Sequence, residues 1–344
     1  MKKNNNKIHV LQYDLSMWEN YFIQKSFPKY RAGQLFKWLH QKNNYSLDLM
    51  SDISIEIKNC LIKDFDFSII KPSNMKKSHL DETMKVLWTF SKNKKAESVW
   101  LEFENRNSIC VSSQSGCSLN CSFCATGQMK FTGNLTTAEI LTQFYETEKL
   151  SGKKANTVVF MGMGEPFYNY EEVVRAAHIL NHVQGRHLSS RKITISTSGV
   201  LPFLKKYLDD KEPFGLALSV HFLDSKKREK YMSVEKNYPL EDIIKLIYQN
   251  LEIIKNNRLT IEYTMISGEN MAERDAQMLA SLAKKIKAKV NLIPLNTSFN
   301  NLKPPTEEEV QLFWDNLYKN HVAALNRGSV GNDISAACGM LAGK

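Results

Sequence analysis

No stretch of the 344-residue chain approaches the ~18 consecutive apolar residues that cross a bilayer. Residues 1–10 are basic and Asn-rich, but no hydrophobic run follows them, so they do not read as a secretory signal. Long low-complexity tracts are missing, and a hydrophobic content of 42% is enough for a real core, which excludes wholesale disorder. Cysteine is scarce: six in a chain this long do not make a disulfide scaffold. These absences lead to the expectation of a soluble cytoplasmic protein, not held in a membrane, whose cysteines bind metal or do chemistry.

What is present in excess is positive charge. Lys and Arg number 46 against 36 Asp and Glu, a net of +10. Residues 1–80 hold 13 basic and 7 acidic residues, so over half of the excess lies in under a quarter of the chain. Tyr21, Phe22, Phe27, Tyr30, Phe36, Trp38 and Tyr45 interleave with it. A basic segment with aromatics suits a polyanion such as RNA, through phosphate neutralisation and base stacking. A solvated helical face accounts for the charge equally well.

The first 80 residues read as short helices, with apolar residues at helical spacing over 32–39 and 53–62. Residues 85–90 and 98–103 alternate as strands about a polar turn at 91–95. From about residue 108 strands and helices alternate. The strands are expected at 109–112, 157–161, 192–196, 215–220, 259–265, 289–293 and 322–326, and the helices at 136–150, 171–182, 242–254, 272–287 and 307–319. Thr136 followed by Glu139 is a capping-box pattern. Strands joined through helices form right-handed parallel crossovers, which predicts an α/β fold with ligands beyond the carboxyl ends of the strands.

Four cysteines fall within fifteen residues. Cys117-Ser118-Leu119-Asn120-Cys121-Ser122-Phe123-Cys124 follows the first of the alternating strands with C-x3-C-x2-C spacing. A closed structural zinc site wants four ligands, and no His is near; Cys110 is the one possible fourth ligand. Three thiolates on a [4Fe–4S] cluster instead leave one iron without a protein ligand. That iron can chelate the amino and carboxylate groups of S-adenosylmethionine (SAM), the radical-SAM arrangement. Gly162, Gly164 and Glu165 follow the second strand; the glycines permit close backbone approach, and Glu165 can accept from an ammonium group. Ser196 ends the third strand, Ser219-Val220-His221 the fourth, and Asn296 lies just past the sixth. Cys338 stands in a Gly-rich terminal segment that reads either as a small buried hydrophobe or as a mobile loop over the barrel mouth. Cys60, in an apolar helix, reads as core.

These residues resemble the radical-SAM RNA adenine methyltransferases of the RlmN/Cfr group. The likeness runs from Tyr30-Arg31-Ala32-Gly33-Gln34 through Glu97, Cys110-Val111-Ser112-Ser113-Gln114 and the cysteine loop. It continues through Met163-Gly164-Glu165-Pro166, Ser196-Thr197-Ser198-Gly199, Asn291-Leu292-Ile293-Pro294, Asn296 and Ala336-Ala337-Cys338-Gly339, spanning essentially the whole chain. The resemblance implies a partial (β/α)6 radical-SAM barrel with a small helical amino-terminal accessory domain. Its parts would be a helical RNA-binding domain at 1–80, a β-hairpin linker at 81–107, the barrel at 108–327 and a catalytic-cysteine loop at 328–344.

The resemblance also implies a mechanism. C2 of adenine is an electron-poor amidine carbon and cannot attack a sulfonium methyl. One SAM first methylates Cys338; a second, cleaved at a [4Fe–4S] cluster on Cys117, Cys121 and Cys124, gives a 5′-deoxyadenosyl radical that takes a hydrogen from that S-methyl. The carbon radical adds to adenine, and Cys110 resolves the crosslink, leaving a disulfide to be reduced. Glu97 matches a proton acceptor. Gly164, Glu165, Ser196, Ser219, Val220, His221 and Asn296 match SAM contacts. The implied partners are 23S rRNA, tRNA at adenosine 37 and an electron donor such as flavodoxin or ferredoxin, with the enzyme a monomer. Val220, Ser233, Asn332 and Met340 depart from the family pattern and bear on substrate preference. Gly164-Glu165-Pro166 resembles the C2-directed type; the alternative is the C8-directed resistance type. Two other classes compete: a zinc-knuckle RNA-binding protein, and a glycyl-radical activating enzyme, which needs neither Cys110 nor Cys338. Anaerobically reconstituted protein is expected to absorb visibly and to carry iron and sulfide; a colourless preparation would rule out the radical chemistry.

Overall fold

The computed structural model describes residues 7–254, 258–296, 300–326, 328 and 330–343; residues 1–6 of the basic amino end, Arg327 and Lys344 lie outside them. A ten-stranded sheet dominates: β1 (Asn74–Lys77), β2 (Met84–Ser91), β3 (Lys94–Phe103), β4 (Arg106–Cys110), β5 (Thr157–Phe160), β6 (Ile193–Thr197), β7 (Gly215–Ser219), β8 (Leu259–Met265), β9 (Lys289–Pro294) and β10 (Ala324–Asn326). Their order across the sheet is their order in the chain. β1 to β4 run antiparallel, and β4 to β10 are parallel throughout. Among the described residues the sheet does not close: β1 and β10 are its edges. β4 to β9 are the six strands expected of the partial barrel, and β10 is the further parallel strand expected at 322–326.

Helices cover the sheet because each crossover must pack back on it. Before the barrel come α1 (Leu15–Gln24), α2 (Tyr30–His40) and α3 (Ile55–Asp64); α4 (Thr137–Ser151) and α5 (Tyr170–Asn181) follow β4 and β5. After β6 and β7 come α6 (Leu201–Asp209), α7 (Ser225–Tyr231), α8 (Val234–Asn237) and α9 (Leu240–Gln249); α10 (Glu273–Lys285) and α11 (Glu307–Lys319) flank β9. The capping box at Thr136 is present, with the Glu139 amide donating to Thr136 Oγ1 at 3.2 Å and the Thr136 amide to Glu139 Oε2 at 2.8 Å. Gly152 ends α4 in the left-handed conformation at φ +70°. β5 is buried at all four positions, as a strand with both faces covered must be. α6 and α7 are missed by the sequence reading, since each is short and α7 is nearly all polar.

The hairpin β2–β3 is continuous with the barrel sheet rather than a linker beside it. The helical unit also ends earlier than residue 80: Ile8–His9 pairs in parallel with Phe65–Asp66 and closes it, and β1 begins at Asn74. Most of the aromatics assigned to base stacking are core. Phe22 and Phe36 are fully buried, Tyr21 and Tyr45 nearly so, while Tyr30 is exposed and Trp38 partly covered. The unit packs on α4 and α5: His40 Nδ1 lies 3.0 Å from the Tyr145 hydroxyl, Phe36 meets His182 edge-on, and Gln12 Nε2 donates to Glu172 at 2.7 Å.

Burial holds His40 down to about pKa 3, as it does His221 in the barrel. Each imidazole is neutral when folded and takes up a proton near pH 6.5 when unfolded. Stability is therefore complete above that pH and falls as pH drops toward 3. Between about pH 7.5 and 5.5 each group should remove roughly 1.4 kcal/mol from the unfolding free energy. Urea titrations at the two pH values measure the loss, and His40→Phe should reduce the pH dependence; a free energy independent of pH would contradict the buried neutral assignment.

Candidate active site

A cavity of about 680 Å³ opens along the inner face of the sheet. Cys110 at the end of β4, the thiols of Cys117, Cys121 and Cys124, Gly164, Glu165, Ser196, Ser219, His221, Asn296 and Cys338 all line it. Two residues singled out by sequence do not. Val220 is buried in the core behind the strand ends, and Glu97 is fully buried on β3 away from the lining.

The cysteine loop leaves β4 and folds against the second apolar cluster. Leu119 packs there with Phe222, Tyr231 and Met232, and Cys117 and Cys121 lie against the same group. The loop is fastened from outside: the Ser122 amide donates to the Tyr231 carbonyl at 3.0 Å, and Ser233 Oγ donates to the Leu119 carbonyl at 2.6 Å. Gly127 is needed for closure, because a Cβ there would lie 2.6 Å from the Cys121 carbonyl oxygen. Burial pushes the Cys117 thiol up to about 12 and the Cys121 thiol well above its ordinary value, and the neighbouring thiols add to both shifts. Such a group loses its protons only to a strong local cation, which an iron–sulfur cluster supplies. Among the described residues no three Cys, His, Asp or Glu side chains converge as ligands of one metal ion. Ligands distributed over a multi-iron cluster fit this spread better than a zinc knuckle does.

Beside the thiols the β5–α5 turn forms a second wall. Gly164 has φ +96°, and a Cβ on it would stand 2.4 Å from Gln114 Cβ, so no side chain fits there. The Glu165 amide donates to Gln114 Oε1 at 2.8 Å. The Glu165 carboxylate is almost fully buried and accepts from the amides of Phe167 (3.0 Å) and Ser198 (2.8 Å). Burial raises its pKa, and those amides hold the rise in check. Ser196 and Ser219, on adjacent strands, place their hydroxyls 3.4 Å apart. His221 sits at φ +55°, with Nδ1 accepting from the Thr264 amide at 3.0 Å. Its proton therefore resides on Nε2, and burial keeps the ring neutral. Phe123 of the cysteine loop meets it edge-on, with ring centroids 5.0 Å apart.

The carboxyl-terminal segment forms the third wall, and it is tied rather than loose. Asn296 Nδ2 donates to the Cys338 carbonyl (2.9 Å), the Ala125 amide to the Gly339 carbonyl (2.7 Å) and Thr126 Oγ1 to the Leu341 carbonyl (2.7 Å). Farther out, Asp333 accepts from Ser78 Oγ and the His79 amide, and Asp81 from the Gly331 amide. Glu97 belongs to this tether. Its Oε2 accepts from the amides of Ala342 (2.9 Å) and Gly343 (3.1 Å), and its Oε1 lies 3.2 Å from Lys85 Nζ. Cys338 is exposed and Cys110 buried, and both line the cavity. They are not at disulfide distance and no cysteine is in a disulfide, so the disulfide expected from the resemblance is absent. Cys338 stands at the exposed rim of the cavity, whereas Cys110 is buried at the end of β4.

Several residues of the site escape the sequence reading. Gln114 was noted only inside a motif, yet it braces the Gly164 turn. Arg228 is fully buried and ion-paired with Glu235, and it donates to the carbonyls of Ser198 (2.9 Å) and Val220 (3.3 Å). It thus ties together the carboxyl ends of β6 and β7. A lysine- and arginine-rich run gives no sequence signal that one member turns inward.

Residues 111–279 match the family model of the Radical SAM superfamily, and residues 8–65 that of the Ribosomal RNA large subunit methyltransferase N-terminal domain. A probable dual-specificity RNA methyltransferase RlmN of Leptospira biflexa is 38% identical over 94% of this chain and 93% of its own. One from Thermotoga maritima is 38% identical over 91% of each. A crystal structure of a radical SAM methyltransferase from Sphaerobacter thermophilus superposes with a TM-score of 0.90 at 31% identity, covering 98% of this chain and all of the other.

Gly164→Ala forces a methyl against Gln114 at a backbone angle that L-residues avoid. By the ~1–3 kcal/mol of overpacking, SAM affinity of the reconstituted protein should fall about tenfold or more, as calorimetry would measure. Undiminished affinity would show that this turn does not shape the pocket.

Proposed function

Because this chain belongs to the radical SAM superfamily and, within it, to the RlmN-type RNA methyltransferases, we propose that it methylates C2 of an adenosine in 23S rRNA and of adenosine 37 in tRNA. The observation that supports this reading is the meeting of two separate thiols, Cys110 and Cys338, with the three-cysteine loop on one cavity. A radical enzyme that merely abstracts hydrogen needs the loop and the SAM pocket but neither additional thiol.

Cys117, Cys121 and Cys124 would hold a [4Fe–4S] cluster, and Gly164, Glu165, Ser196, Ser219, His221 and Asn296 would surround SAM. Bound there, cluster and SAM supply an electrophilic methyl group and a hydrogen-abstracting 5′-deoxyadenosyl radical. The rest is the work of the chain. The Glu165 carboxylate, preset by two backbone amides, presents negative charge where an ammonium group binds. Neutral His221 offers its Nε2–H as a donor without adding a second positive charge. Cys338 carries the incoming methyl as a thioether, which overcomes the lack of nucleophilicity at C2. It then loses a hydrogen from that methyl and joins the carbon to C2. Cys110, which lines the same cavity, acts on the resulting adduct and releases the product. Exposed Lys37 and Lys42, the latter 3.3 Å from the centre of the Trp38 ring, offer RNA a basic face at the carboxyl end of α2. The adenine must leave its stack to enter, so the RNA is read by shape with local rearrangement.

Mass spectrometry of ribosomal RNA and tRNA treated with the reconstituted enzyme should find 2-methyladenosine. Cys338→Ala should abolish methylation, whereas Cys110→Ala should accumulate an RNA–protein adduct. Product at C8 would assign the other regiochemistry, and methylation by Cys338→Ala would refute the covalent route.

A further inference from the structure

The outer side of the cysteine loop carries a feature that the methyl-transfer reading leaves unused. α7 reads Ser-Lys-Lys-Arg-Glu-Lys-Tyr, and of its basic residues only Arg228 turns inward, with Tyr231 buried beside it. Lys226, Lys227 and Lys230 are exposed along it, and Lys236 follows on α8. Asp224, Glu229 and Glu269 stand among these four lysines, so the face keeps a small positive excess. Asp224 caps the helix through the Lys227 amide, Glu229 reaches only Lys236 at 3.7 Å, Lys227 Nζ bonds the Glu269 carbonyl, and Lys230 Nζ bonds the Tyr231 hydroxyl.

This basic face lies one side chain away from the cluster loop. Tyr231 O and Ser233 Oγ bond the loop directly, and the Tyr231 ring, under Lys230 Nζ at 4.4 Å, stacks on Phe222 with centroids 4.8 Å apart. Phe222 meets Phe123 at 6.1 Å, and Phe123 adjoins Cys124 in the chain. Packed aromatic rings therefore join the exposed lysines to the thiols.

We propose that the α7 face is the docking surface for an acidic one-electron carrier protein, a proposal that rests on the function assigned above. One electron is needed for each sulfonium cleaved. The carrier is oxidised by one electron, and the S–C5′ bond that receives it breaks into methionine and a carbon radical. The electron has to arrive from outside while the cavity side is filled by SAM and the target adenine. The face behind the loop is free for a protein, it is positive, and it is separated along the barrel wall from α4 and α5, where the amino-terminal unit packs. Charge complementarity with an acidic partner accelerates encounter and is screened by salt.

The test compares the holoenzyme with Lys226→Glu/Lys227→Glu/Lys230→Glu, using flavodoxin as carrier and dithionite as a small reductant. At low ionic strength, calorimetry should show the flavodoxin Kd raised about tenfold or more, with the difference shrinking as salt is added. Dithionite-driven 5′-deoxyadenosine formation and RNA affinity should be unchanged. Equal flavodoxin affinity in both proteins would overturn the proposal. So would weakened RNA binding with flavodoxin binding intact, which would make the face part of the RNA site. Wild-type protein that forms no 5′-deoxyadenosine with dithionite would instead refute the assigned function.

Discussion

The crowding of three thiols on one short, half-buried loop governs the architecture around it. Burial and mutual proximity hold Cys117 and Cys121 protonated, so the loop gains its favourable electrostatics only with a cationic cluster in place. A loop of that kind cannot fold itself by local propensity. It is gripped from behind by Tyr231 and Ser233, from below by Leu119 in its apolar cluster, and from the front by the carboxyl-terminal segment through Ala125 and Thr126. Arg228 extends the grip to β6 and β7, bonding their terminal carbonyls while Glu235 compensates its charge. Loop and strand ends are thereby fixed relative to each other before any ligand arrives, which is what a short-lived radical requires of its surroundings.

The tether of the tail gives Glu97 a definite place in this scheme. A proton acceptor for the reaction would be expected at the cavity surface. Instead the carboxylate is shared between two backbone amides and Lys85, in a position that sets the reach of the segment bearing Cys338. The barrel's open side matters for the same reason. With β1 and β10 unjoined, the sheet leaves an entrance that a folded RNA can approach, while the hairpin β2–β3 supplies the anchor for the tail.

The parallel strands were legible because each is a short buried run flanked by helical periodicity, and 307–319 coincides with α11 to the residue. The hairpin was legible from alternation, but not its merger with the barrel, since ladder partners such as Cys110 and Val99 carry no mark of their pairing. α6 and α7 were missed because one is short and the other polar. The amino-terminal aromatics misled in the opposite direction: interleaving with lysine is also what an amphipathic helix looks like when its rings face inward, as Phe22 and Phe36 do.

By itself the sequence determined the chemistry that can be done. The spacing of Cys117, Cys121 and Cys124, the glycines ahead of Glu165 and the isolated Cys338 are covalent facts, and their reactivity depends on residue type and local order. Only the tertiary structure decided which of these groups share a space. Cys110 and Cys338 are separated by most of the barrel in the chain, and they meet because the tail is bonded to the cysteine loop and to Glu97. Val220 falls outside the cavity because neighbouring side chains at a strand end point to opposite faces, whereas Glu97 shares the face of Val99 and Leu101 and is covered by the tail residues Ala342 and Gly343. Register, packing and the path of the tail are properties of contacts distant in sequence, and no local pattern encodes them.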